Sequence, residues 1–441
     1  MGAFFVGKIH KIKGDEQMSE FKFETNAIHA GQVIDETGAH AVPIHQTTAY
    51  VFNDTQDGAD KFALTKGGNI YTRITNPTQS VFETRLATLE GGSAAVATAS
   101  GMAAITYSIL ALAKNGDHIV STTNLYGGTS TLFTHTLPDY GVEVSFVDTD
   151  NPEEVNAVIQ ENTKAVFIES IGNPKGDIPN FEAIAEITKK HGIPLIVDNT
   201  FATPYLFRPI EHGADIVVHS ATKFINGHGT SVGGVIVESG QFDWGQNDKF
   251  PGLTTPDPTY NGLSFFEAFG PGAYVTKIRA GLLRDTGASI TPFNSWLFLQ
   301  GLESLHVRMD RHVENAEKVA KFLESHEKVE WVSYAGLESS PYFELKEKYL
   351  PKGASSVFTF GVKGGYEGGK AFIDHVELFS LVANLGDTKS LVVHPASMTH
   401  SQLSDDELKA AGVGKETVRL SVGLENIDDL IADLEKGLEA I

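Results

Sequence analysis

Pro194-Leu195-Ile196-Val197-Asp198-Asn199 and, after one turn of chain, Ala214-Asp215-Ile216-Val217-Val218-His219-Ser220-Ala221-Thr222-Lys223 are the two most informative runs in this sequence. Each is short, β-branched and almost purely apolar, and each ends abruptly in polar residues. A strand that is apolar on both faces is covered on both sides, as in parallel sheets flanked by helices. The pattern recurs at Ala94–Ser100, His118–Thr123, Glu143–Asp148 and Ala165–Ser170, with helical periodicity at Met102–Ala113 and Phe181–His191. This alternation predicts an α/β fold built on a large, mostly parallel sheet. Ligands of such sheets sit beyond the carboxyl ends of the strands, so chemistry is expected at the residues that end each run.

Downstream, Gln241–Tyr274 is rich in Pro, Gly, aromatics and Asn/Asp, and reads as a long ordered loop. A helical region over Ser295–His326 follows, then strands at Val329–Tyr334, Val357–Val362, Leu378–Asn384 and Val418–Val422, and a helix from Ile427 to Leu438. Strands and helices mixed without strict alternation suit a smaller α+β domain.

Composition narrows the function. With 441 residues, 41% hydrophobic and 20% charged, the chain has ample apolar material for a large core. The 34 Lys+Arg against 56 Asp+Glu leave a net charge of −22, which disfavours nucleic acid and anionic lipid as partners. With Cys at 0, disulfides, thiolate metal sites and a cysteine nucleophile are excluded. No apolar run is long enough to span a membrane. The short apolar stretch Ala3–Gly7 precedes the lysines, the reverse of a signal peptide, so the segment before Met18 reads as an extension and the expected location is cytoplasmic.

Asp198 and Lys223 end the two opening runs, and should emerge at one sheet edge about 10 Å apart if one strand intervenes. A carboxylate and an amine flanking a cavity suit pyridoxal 5′-phosphate (PLP). The amine forms the Schiff base, and the carboxylate keeps the pyridine nitrogen protonated. Ser220 and Thr222 place hydroxyls beside the lysine for phosphate oxygens. Ser100-Gly101-Met102 sits at a strand-to-helix turn, where backbone N–H groups bind phosphate. Tyr126, just past another strand, is suited to stack on a planar ring. Arg419 is a charge within an apolar strand, placed either for a buried salt bridge or for an amino-acid carboxylate.

Further motifs occur in order: Tyr71-Thr72-Arg73, Asn76-Pro77-Thr78, Asn124-Leu125-Tyr126-Gly127-Gly128, Val197-Asp198-Asn199-Thr200, His219-Ser220-Ala221-Thr222-Lys223, His394-Pro395-Ala396-Ser397-Met398-Thr399-His400 and Arg419-Leu420-Ser421-Val422-Gly423. Together they strongly resemble the Cys/Met-metabolism PLP-dependent enzymes, over residues 22 to 441. The resemblance implies the PLP-dependent transferase fold type I (aspartate-aminotransferase-like), with a large sheet domain and a smaller C-terminal α+β domain. It implies an arm over residues 1–75 contacting a neighbouring subunit, a PLP-binding domain over 76–278 and a small domain over 279–441.

By the same resemblance, Lys223 carries the cofactor and Asp198 partners its ring nitrogen, while Gly101, Met102, Ser220 and Thr222 hold its phosphate. Tyr126 stacks on the ring and assists proton transfer, and Asn173 lies near the cofactor's phenolic oxygen and the substrate carboxylate. Tyr71 and Arg73 reach the phosphate of the neighbouring subunit's cofactor, which implies a homo-oligomer, a dimer of dimers. Arg419 and Asn384 bind the substrate carboxylate, although Asn384 stands where lyases of the family often carry Ser.

Within the family, the Gln241–Tyr274 segment resembles the insertion of O-acetylhomoserine sulfhydrylases, and Gly128 occupies the position of the catalytic cysteine of methionine γ-lyases. These features imply an amino-acid substrate and sulfide or a thiol, with O-acetyl-L-homoserine and sulfide giving L-homocysteine and acetate. A cystathionine γ-synthase or a cystathionine/methionine γ-lyase is the alternative. Other enzyme classes fit poorly. Gly364–Lys370 nearly spells a P-loop, but Ala371 removes the Mg²⁺-binding hydroxyl, and no G-x-G-x-x-G or H-E-x-x-H occurs. No metal site is expected from the 16 His residues.

Overall fold

In the computed structural model, which describes residues 21–398 and 413–441, the apolar runs assemble into two sheets. The first has seven strands: β1 (Ala94–Thr98), β2 (His118–Thr122), β3 (Glu143–Val147), β4 (Thr163–Glu169), β5 (Leu195–Asp198), β6 (Ile216–Ser220) and β7 (Gly234–Glu238), in the order β1-β7-β6-β5-β4-β2-β3. Pairing is parallel throughout except along β7, which runs antiparallel to β1 and β6. The other six strands therefore end at one edge, as the sequence suggests. Helices cover both faces: Phe82 and Leu86 of Pro77–Glu90 on one side, Ile105 and Ile109 of Gly101–Leu110 on the other, all buried.

The second sheet has five strands: β8 (Val329–Ser333), β9 (Val357–Val362), β10 (Ser380–Leu381), β11 (Leu391–Val393) and β12 (Thr417–Ser421), in the order β10-β11-β12-β9-β8. The helices Leu305–Ser325 and Ile427–Glu439 pack against it through Val319, Leu323, Leu430 and Leu434.

Several expectations are corrected. No strand separates β5 from β6; they pair directly, so Asp198 and Ser220 are closer neighbours than one intervening strand would allow. β7 and β11 are additional strands, and only Ser380–Leu381 of the 378–384 run is paired. The 295–326 region is two helices, Pro292–Glu303 and Leu305–Ser325, broken at Ser304. The 241–274 segment is not a plain loop. It contains short helices at Pro251–Thr254, Pro258–Tyr260 and Phe265–Phe269, and Trp244 stacks on Tyr274 with centroids 5.3 Å apart. Buried Glu238, at the end of β7, ties down both ends of that segment. It accepts from Trp244 Nε1 at 3.1 Å and from the backbone N–H groups of Tyr274 and Val275 at 3.4 and 3.0 Å. No helix among the described residues is long and apolar enough to cross a membrane. The N-terminal extension before Met18, and Thr399 and His400, lie outside the described residues.

Candidate active site

The edge where β1, β5 and β6 end carries the first part of the site. The Gly101–Leu110 helix starts where β1 turns back, with the Ser100 side chain accepting from Ala103 N–H at 3.1 Å. That cap leaves the N–H groups of Gly101 and Met102 without intrahelical partners. Gly101 sits hard against Ser220: a Cβ on Gly101 would lie 2.6 Å from Ser220 Cβ and 2.9 Å from its Oγ. Only glycine permits this approach, which sets free backbone donors, a helix N-terminus and a hydroxyl in one cradle suited to a phosphate. Thr222 stands next to it with its hydroxyl committed to Gly233, accepting from the N–H at 3.1 Å and donating to the carbonyl at 3.2 Å.

Thr200 links this cradle to Asp198. Its hydroxyl and N–H reach Asp198 Oδ1 at 2.5 and 3.0 Å, while the same hydroxyl accepts Ser220 N–H at 2.8 Å. Burial raises the proton affinity of Asp198, and the two Thr200 donors oppose that shift. A buried carboxylate held this way can keep a cationic ring nitrogen. The opposite face of β6 directs His219 Nε2 onto buried Glu90 at 2.5 Å, and Glu90 also accepts from Asn199 at 2.9 Å.

Lys223 lies between the two sheets. Its amine donates to Asn384 Oδ1 at 2.7 Å, and burial, reinforced by the Arg419 cation, brings its pKa down to about 8. Arg419 occupies the centre of the second sheet, opposite Val393 on β11 and Thr359 on β9. Its guanidinium forms no hydrogen bond or ion pair among the described residues, so the salt-bridge reading does not apply. Burial lowers its pKa to about 10, with Tyr126 acting the other way. A partly buried guanidinium with unused donors beside a lysine suits a carboxylate.

Tyr126 is about half exposed, and a Cβ on Gly128 would lie 2.6 Å from its ring and 3.3 Å from Met102 Sδ. Tyr126 and Met102 thus share one wall, and a larger residue at 128 would push that ring aside. Buried Asn173 precedes a cis Asn173–Pro174 bond and joins the same edge through β4.

The structure therefore brings together Gly101, Met102, Ser220, Thr222, Asp198, Lys223, Asn384, Arg419, Tyr126 and Asn173. Tyr71 and Arg73 lie elsewhere, in a cleft of about 400 Å³ with Thr47, Thr48 and Thr291. There the Arg73 guanidinium stacks over the Tyr71 ring at 5.5 Å and donates to the Arg284 carbonyl. Sequence reasoning missed three supports. Thr200 stands inside a motif with no feature marking it out, and Glu169 ends its strand like any solvent-facing acid. Arg308 sits on an amphipathic helix, where a charge reads as exposed. It is buried instead, donating to the carbonyls of Phe224 and Gly301 at 2.8 and 2.7 Å and so anchoring the chain just past Lys223.

Comparison with known proteins places the chain in a family. The Cys/Met metabolism PLP-dependent enzyme family matches residues 24–439. A homocysteine synthase of Schizosaccharomyces pombe is 53% identical over 95% of this chain and 98% of its own length. An O-acetyl-L-homoserine sulfhydrylase of Leptospira meyeri is 49% identical over 97% of this chain and 99% of its own. A crystal structure from Campylobacter jejuni, named as an O-acetylhomoserine (thiol)-lyase and containing N′-pyridoxyl-lysine-5′-monophosphate, superposes with a TM-score of 0.93. It is 46% identical and covers 95% of this chain and 100% of its own. The chain belongs to the Cys/Met metabolism PLP-dependent enzymes.

Proposed function

We propose that this protein converts O-acetyl-L-homoserine and sulfide to L-homocysteine and acetate. The observation that carries this reading is its identity of about half, over nearly full length, with relatives named homocysteine synthase and O-acetyl-L-homoserine sulfhydrylase. The site supports it with a single amine, an unpaired guanidinium and no thiol.

The residues divide the work. Gly101, Met102 and Ser220 hold the cofactor phosphate, with Thr222 shaping the loop behind it. Asp198 holds the ring nitrogen, Tyr126 covers the ring face, Asn173 lies at its edge and Lys223 anchors it covalently. PLP, when bound, supplies an electron sink for charge developing at the amino acid's α carbon. Arg419 takes the substrate carboxylate as a two-pronged donor, which fixes the orientation of Cα. Lys223 Nζ, freed by the incoming amino group, moves protons at Cα and Cβ; a pKa of about 8 leaves a useful fraction neutral near pH 7. Asn384 holds that amine between the two positions. The net exchange breaks Cγ–O, releasing acetate, and forms Cγ–S from hydrosulfide.

A second copy of the chain completes the site by offering Tyr71 and Arg73 to the phosphate. Their place outside the Lys223 cluster supports this, as do the exposed apolar side chains Val51, Val232 and Phe293.

Incubating the purified holoprotein with O-acetyl-L-homoserine and either sulfide or cysteine tests the reaction. Homocysteine and acetate from sulfide are expected. Cystathionine as the only product would assign the chain to the alternative.

A further inference from the structure

Glu169 takes no part in the chemistry above, yet it touches three pieces of the site. It is the last residue of β4 and pairs in register with Asp198, the last residue of β5. Its buried carboxyl accepts the N–H of Tyr126 at 2.7 Å and lies beside the N–H of Asn173, which favours the charged form of the acid. These two residues belong to different loops, one after β2 and one after β4. A parallel link joins the same loops: Asn124 Nδ2 donates to Asp177 at 3.2 Å, and Gly172 N–H donates to the Asp177 carbonyl at 3.0 Å.

Resting on the reading of the Lys223 pocket as the PLP site, we propose that Glu169 is a positioning residue. It locks the backbones of Tyr126 and Asn173 to the β4–β5 edge, so that ring face, amide and Asp198 keep a fixed spacing. Without it, the loops after the neighbouring strands β2 and β4 keep the link through Asn124 and Asp177. A second consequence follows from pairing two carboxyls away from water, since both do not ionise cheaply. Burial, with Asp198 and Asp177 beside it, drives the Glu169 proton affinity strongly up, which favours a single negative charge on the pair. Asp198 keeps that charge, held by Thr200.

The test uses holoprotein variants: Glu169→Ala, Glu169→Asp, which withdraws the acid by one methylene, and Glu169→Gln, which keeps the length and a carbonyl acceptor. In the Ala and Asp variants, amides of 124–128 and 172–177 should exchange with solvent at least about tenfold faster. The cofactor's induced visible circular dichroism should change, and kcat per bound cofactor should fall on the order of 100-fold, the cost of misplacing a reacting group by about 1 Å. The Gln variant should stay within about tenfold of wild type, since one acceptor remains. Wild-type exchange in both loops, or wild-type kcat per bound cofactor in the Asp variant, would overturn the proposal. Lys223→Ala separates the two layers. If it keeps the visible band and the activity, the site reading fails; if it loses both while the Glu169 variants behave as wild type, only the positioning role fails.

Discussion

On the proposed function, Lys223 has to be neutral to attack an aldehyde and to take a proton, and its surroundings serve both needs. Its pKa is depressed to about 8 from 10.5, first by burial and then by Arg419. The neutral fraction therefore rises tenfold per pH unit below about 8 and levels off above it. Covalent attachment of PLP to apoprotein, followed by absorbance, should trace that curve. Arg419→Met removes the cation, so the midpoint should move to higher pH; an unchanged midpoint would mean that burial alone sets it. If Arg419 takes the substrate carboxylate as proposed, the same variant also loses a charge-assisted pair of about 1.5–3 kcal/mol, roughly 10- to 100-fold in kcat/KM. At this scale much was legible in the sequence. Asp198, Ser220 and Lys223 end apolar strands, where polar residues stand out. Glu169, Thr200 and Arg308 did not stand out, because their meaning lies in partners distant in sequence: Glu169 finds Tyr126, and Arg308 finds Phe224.

Elements were legible where one physical signal dominated. Phe181–His191 matches its expected bounds, since Asn180 caps its start and Gly192, at a φ of 62°, stops it. β7 was missed because it follows β6 through a glycine-rich turn with no helix between them, so the βα alternation gives no sign of it. The 241–274 segment hid its short helices because each is held by tertiary contacts rather than by periodicity. Glu238 is the central such contact. Removing it strands three buried donors, so Glu238→Ala should cost at least about 1–3 kcal/mol of stability. Limited proteolysis should then cut first within 241–274. Equal cutting of the wild type and the variant there would show that the segment is held elsewhere.

For the whole molecule, the site lies where two sheets meet. Lys223, just past the end of β6, reaches across to Asn384, in the segment after β10, and to Arg419 on β12, so the folding of both sheets is a precondition for binding. An acidic surface of net charge −22 makes the local cations at Arg419 and the Gly101 helix start all the more necessary for anionic ligands. If Arg73 serves the neighbouring copy, two inactive variants should complement each other. Lys223→Ala and Arg73→Ala, unfolded together and refolded as a mixture, should regain about a quarter of wild-type activity, since random pairing leaves one intact site in half of the dimers. No regain would confine each site to a single chain.

On the proposed function, this protein's chemistry turns on Lys223. Borohydride reduction of the holoprotein, followed by peptide mass mapping, tests it most directly. One pyridoxyl phosphate adduct is expected, on Lys223, with activity lost in step with its formation. An adduct on any other lysine, or activity that survives complete modification of Lys223, would contradict it.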